Sequence, residues 1–222
     1  MTRLLLALFA AILCGPVFAD EAGPKAILLV AREDMPDPFF RESVVLVTNA
    51  AVAPLGVILN KPLDLKLSKA LPEAKRLRSR EEKLFFGGPV QASEVVFVFR
   101  SAKEPEDALR LVDGVYISES REVLEGLLAR DNPVEGLRIF AGHAGWSPGQ
   151  LEGEIARGDG RLAPADASVI FTTRPEDLWG TLNRRVAGTK IRSAPGECGE
   201  YARSRICGES RSIYTDYVFT RR

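Results

Sequence analysis

One histidine occurs in the 222 residues, His143. It opens a stretch dense in groups that could do chemistry, Gly142-His143-Ala144-Gly145-Trp146-Ser147-Pro148-Gly149-Gln150-Leu151-Glu152. An imidazole can move protons near neutrality, and a carboxylate such as Glu152 would be its natural partner. Gly145 to Gly149 also matches G-x-S-x-G, the elbow that presents a nucleophilic serine. Two features count against a serine hydrolase. In that elbow the residue after the serine donates its N–H to the oxyanion, and here it is Pro148, which has none. The histidine precedes the serine, whereas that fold places it last. A triad on another fold needs a histidine too, and His143 is the sole candidate. No catalytic residue is assigned.

The same residues make a strand–turn–helix junction. Leu137 to Ala141 reads as a short buried strand, and Gly142 and Gly145 let the chain turn. Ser147 and Gln150 are spaced as a capping box, with Pro148 at the first helical position. The helix is expected over about 148–157, stopping at Gly158. Leu151 and Ile155 would share its inner face, with Glu152 and Glu154 outside. Free N–H groups at such a start could hold a small anion, or the cap and water could satisfy them.

Other elements must position this junction. Residues 1–19 read as a signal peptide: Arg3, an apolar run from Leu4 to Leu13, then Val17-Phe18-Ala19 before cleavage. The chain is thus expected in the periplasm or secreted, and lipid anchoring at Cys14 is the alternative. No second long apolar run follows, so no transmembrane segment is expected after cleavage. Without Arg3 the remainder carries 29 Lys and Arg against 30 Asp and Glu, net −1. That balance gives no electrostatic reason to expect nucleic acid as a partner. The remaining length suits one domain, expected over 20–187.

Ala26 to Ala31 is a continuous apolar run, hence a strand buried on both faces. Val44 to Val47 and Gly56 to Asn60 suggest a hairpin, ended by Pro62. Ser68 to Leu77 suggests a short irregular helix, and 76–83 a charged surface turn. Leu84-Phe85-Phe86 runs into Gly87-Gly88-Pro89-Val90, a special backbone that either packs on a neighbouring segment or lines a pocket. Strands are expected at 95–99 and 115–118, then a helix capped by Ser120 and running to about Arg130. Beyond the junction, 159–165 reads as a polar link and Ser168 to Thr172 as a strand. Thr173 and Glu176 frame a capping box for a helix through Trp179 and Val186.

Residues 188–222 form a basic extension; from Arg184 onward nine basic residues face four acidic ones. Cys198 and Cys207, the cysteines left after cleavage, are expected to form a disulfide, worth roughly 2.5–3 kcal/mol on the chain-entropy model. They fall short of a metal ligand set, and no cofactor is expected. Ile213 to Phe219 could add a late strand.

Four stretches together resemble the bacterial YqgE/AlgH family: 28–44, with Met35-Pro36-Asp37-Pro38-Phe39-Phe40; Gly56-Val57-Ile58-Leu59-Asn60-Lys61-Pro62; Phe86-Gly87-Gly88-Pro89-Val90; and 142–155. The resemblance covers about 25–186. It implies an α/β (α+β) fold with a mixed, branched sheet forming a pseudo-barrel with flanking helices. It implies no established activity, and a label of transcriptional regulator. Its shared motif residues fall here on Asn60, Gly87, Gly88, Pro89, Gly142, Gly145, Trp146, Gly149, Gln150 and Glu152. Relatives commonly have tyrosine where this chain has His143, and usually lack an export signal. Three readings follow. The first is a non-catalytic binding or regulatory domain, centred on Asn60, Gly87, Gly88, Pro89, His143, Gly145, Trp146, Ser147, Gln150 and Glu152, with a small anion or a protein as partner. The second is an enzyme using His143 and Glu152. The third is a transcription-related regulator, at odds with export. An enzyme should bring His143 and a carboxylate together, and a binding domain should expose apolar surface.

Overall fold

The computed structural model describes residues 26–48 and 54–187. The leader with Cys14 and Ala19, the tail with Cys198 and Cys207, and the 213–219 segment lie outside the described residues. No described helix is long and apolar enough to cross a membrane.

Ala26–Ala31 forms β1, buried throughout. Leu28 and Val30 enter one core and Ile27 and Leu29 another, as an unbroken apolar run demands. Val44–Thr48 (β2) and Leu55–Ile58 (β3) make the expected antiparallel pair. Pro62–Lys66 (β4) pairs with Lys83–Phe86 (β5), and the helix Leu67–Ala70 (α1) and a 3-10 turn at Lys75–Leu77 lie between them. Val90–Arg100 (β6), Leu109–Val112 (β7) and Val115–Ser118 (β8) follow, then the helix Arg121–Leu128 (α2), whose start Ser120 caps as expected. Leu137–Gly145 (β9), the helix Gln150–Arg157 (α3), Gly160–Pro164 (β10) and the helices Ala167–Phe171 (α4) and Pro175–Ala187 (α5) complete the domain.

The sheet runs β10-β1-β2-β3-β9-β6-β8-β7, with β5 and then β4 branching from β9. It is mixed, because β5 lies parallel to β9 while β3 and β6 lie antiparallel to it. The sheet curls into a half-barrel with flanking helices, in agreement with the expected fold class.

Several expectations need correction. Residues 160–164 are a strand rather than a link. As an edge strand pairing only with β1, β10 can leave Arg161 and Pro164 exposed while Gly160 and Ala163 are buried, which hides the strand in the sequence. Residues 168–171 are helical, because Asp166 accepts from the N–H groups of Ser168 (2.8 Å) and Val169 (2.9 Å) and caps α4. A short apolar run cannot by itself distinguish strand from helix. The Thr173 box does not form: α5 begins at Pro175, so the capping place falls on Arg174. The strands β4 and β7, each pairing on one side only, went unread.

A half-buried arginine is among the side chains that tie the sheet to the helical layer. Arg138 of β9 lies over the Phe85 ring at 5.2 Å and donates to the carbonyls of Leu59 and Thr173, both at 3.1 Å. Burial pushes its pKa down to about 10, so it stays charged at neutrality. It makes no ion pair among the described residues. Arg138→Met should cost about 2–4 kcal/mol, since it leaves two carbonyls without a donor. The midpoint of thermal unfolding should fall by roughly 10 °C; a fall within scan error would show that the link between β9 and the turn joining α4 to α5 is idle.

Candidate functional site

The junction sits at a fork in the sheet. The middle of β9 pairs with β5 (Phe85 to Phe140, Phe86 to Ala141), and its end pairs with β3 (Leu55 to Gly145, Gly56 to Ala144). Gly87 stitches the two branches: its N–H donates to Ala141 at 2.9 Å, and its carbonyl accepts from Ile58 at 3.0 Å. A Cβ on Gly87 would lie 2.1 Å from the Gly142 carbonyl oxygen, and one on Gly88 2.2 Å from the His143 backbone. Gly142, at φ 65°, faces the Gly88 and Val90 carbonyl oxygens, each 2.6 Å from where its Cβ would be. These glycines serve close backbone approach, the packing alternative for the Gly87-Gly88-Pro89 turn.

Past the fork, Trp146 is buried and its ring covers Gly56, where a Cβ would stand 3.0 Å from Cζ3. Its backbone N–H donates to Pro54 at 3.3 Å. Its indole N–H donates to Glu154 Oε2 at 2.9 Å, as a buried indole requires. Glu154 Oε1 accepts from Gln150 Nε2 at 2.9 Å, and Gln150 Oε1 accepts from the Ser147 N–H at 3.1 Å. Glu154 thus points back to the turn, contrary to the expectation that it faces outward.

The helix also starts later than expected. Gly149, at φ 78° and ψ −8°, is the N-cap, and no side chain caps it. Pro148 and Gly149 occupy the central places of a turn closed by Gln150 N–H to Ser147 carbonyl at 3.0 Å, as a type II turn prefers. Only the Gln150 half of the capping box forms. The stop at Gly158, at φ 78°, is as expected. With the Ser147 amide taken and Glu152 in the first turn, this helix start is a poor place for an anion.

His143 is half-buried, opposite Val90 in the β6–β9 ladder. Neither His143 nor Glu152 makes a side-chain hydrogen bond or ion pair among the described residues. No group of three His, Cys, Asp or Glu that could hold a metal occurs among the described residues.

Asn60 belongs to a different device. Its Oδ1 accepts from Val44 N–H and its Nδ2 donates to the Glu42 carbonyl, both at 2.8 Å, bracketing Ser43 just after Glu42 at φ 53°. Lys61 Nζ donates to the Pro38 carbonyl at 3.1 Å, and burial lowers its pKa while Asp37 and Glu42 oppose that shift. Asp37 accepts from the Phe39 N–H at 2.8 Å. Together these bonds hold the 37–42 loop with Phe39 outward and 5.5 Å from the ring of Phe86, the residue before Gly87. Sequence reading missed Phe39 and Glu154. The doubled phenylalanine in a proline-rich turn was the available signal for the first.

Residues 28–190 match a family model described as AlgH-like. A UPF0301 protein of Methylococcus capsulatus is 39% identical over 167 residues, 72% of this chain and 88% of that protein. One of Mycobacterium avium is 38% identical over 163 residues, 71% of this chain and 80% of that protein. The chain belongs to the AlgH-like family. The solution structure of the AlgH protein from Pseudomonas aeruginosa matches with TM-score 0.60 at 25% identity, over 82% of this chain and 97% of that one. A crystal structure of a Corynebacterium diphtheriae protein matches with TM-score 0.61 at 30% identity, over 78% and 90%. AlgH-like membership carries the fold and assigns no reaction.

The fork geometry separates two kinds of glycine. Gly142→Ala should destabilise the AlgH-like domain by about 3 kcal/mol or more, through both collision and φ. Gly149→Ala, whose Cβ would meet nothing within 4 Å, should cost only about 1–2 kcal/mol for its φ. Urea unfolding of the two variants measures the difference; equal losses would mean that the fork is not tightly packed.

Proposed function

We propose that this protein is a non-catalytic binding domain of the periplasm, and that its partner is a protein docking beside the fork. One observation carries the reading. The three exposed large hydrophobic side chains among the described residues are Phe39 (51%), Val90 (40%) and Leu65 (37%), and the first two flank the Phe86-Gly87-Gly88-Pro89 segment. Phe39 stacks beside Phe86, Val90 follows the turn, and Leu65 lies on β4, which pairs with β5. The Asn60 and Lys61 bonds keep Phe39 in water rather than folded inward. Fixed aromatic groups of this kind anchor protein interfaces at low entropic cost. An enzyme based on His143 and Glu152 finds less support, since neither side chain has a partner among the described residues.

Photo-crosslinking side chains placed at positions 39 and 90 in exported protein should yield the same adduct, absent from a control at Arg157. Once that partner is purified, Phe39→Ser should weaken binding about tenfold or more. His143→Ala should leave binding within about threefold, because an unpaired imidazole contributes little. Adducts equal to the control, or a His143 effect larger than the Phe39 effect, would sink this reading.

A further inference from the structure

The charged turn at 76–83 folds against the end of α2 and joins a cluster of four arginines drawn from three segments. Arg76 Nη1 donates to the Arg130 carbonyl at 3.1 Å and pairs with Asp131 at 3.0 Å. Arg80 Nη2 reaches Asn132 Oδ1 at 3.5 Å. Arg130 Nη1 donates to the Arg100 carbonyl at 3.4 Å. Arg100 Nη2 donates to the Ala167 carbonyl at 3.2 Å, and its guanidinium lies 5.1 Å from the Phe171 ring centre. The Arg100 stem rests on Gly136, where a Cβ would be 3.1 Å away. Arg100, Arg130, Asn132, Glu135 and Gly136 line an open cleft of about 390 Å³.

Arg100 and Arg130 form no ion pair among the described residues. Carbonyl partners orient a guanidinium without cancelling its charge. Two such groups in one cleft repel each other, and an anion between them relieves that repulsion. Guanidinium forks match the oxygens of phosphate and carboxylate, and both keep free N–H donors. Glu135 is the one carboxylate on the wall, and it opposes such a ligand. We propose that this cleft binds a small multivalent oxyanion, the phosphate or paired carboxylates of a soluble metabolite, between Arg100 and Arg130. The cleft shares no residue with the fork surface, so the two readings stand or fall separately.

Calorimetric titration at low salt tests the site, with pyrophosphate in one arm and citrate in the other to separate phosphate from carboxylate ligands. One or both should bind saturably. Arg130→Met gives up a single weak internal bond, so the fold should persist, and circular dichroism checks it. This variant should bind about tenfold more weakly, and Glu135→Gln about threefold more tightly. Arg161→Met, in a separate cleft, should change nothing. The proposal is overturned by absence of saturable binding of either probe up to about 10 mM, a concentration at which even weak specific sites fill. Equal losses in Arg130→Met and Arg161→Met, which would report general surface charge, or a Glu135→Gln variant no tighter than wild type, overturn it equally.

Discussion

Backbone lies directly on backbone where Gly87 and Gly88 cross Gly142 and His143, and no side-chain atom fits between them. This contact lets two strands, β3 and β5, leave the same flank of β9 in different directions. The fork in turn separates three cores. Phe140 and Leu28 lie in one, Ile139 and Phe97 in a second, and Ala144 and Trp146 in a third. A wider approach would open a gap at their common boundary, which a close-packed interior does not tolerate.

Polar side chains near the fork chiefly serve the main chain. Asn60 satisfies two backbone groups, and Arg138 satisfies two carbonyls on separate elements. Glu154 accepts from an indole that has nowhere else to donate. These groups look like chemistry when read along the chain, being amides, a guanidinium and a carboxylate beside glycines. Their geometry shows them bound into the frame. The groups that face water are a different set, Phe39 and Val90 on the apolar side and Arg100 and Arg130 among the charges.

Legibility in the sequence followed the local physics of each element. The apolar run of β1, the Ser120 cap and the Gly158 stop all act within a few residues, and each was readable. The branched half-barrel came through family resemblance, because pairing of β5 with β9 joins residues more than fifty positions apart. Edge strands such as β10 and β4 escaped, since water on one side permits the polar residues that make a strand look like a loop. At the candidate site the glycines were recognisable as special. What they met was not, because a collision with a distant carbonyl leaves no trace in spacing. Arg138 left a trace that went unused: a lone charge inside an otherwise apolar strand has to find acceptors across the fold.

One irregularity of β6 has a bearing on how this architecture can change. Between the rungs that join it to His143 and Ala141, β6 spends the run from Val90 to Val95 while β9 spends only a step of two. The surplus, from Gln91 at φ 49° to Glu94, exposes its side chains while the Ala92 backbone rests on Gly142. Slack anchored at both ends absorbs lengthening or shortening without sliding Phe97 off Ile139. Descendants of this scaffold therefore have a place to remodel their outer contour while the inner lattice stays in phase.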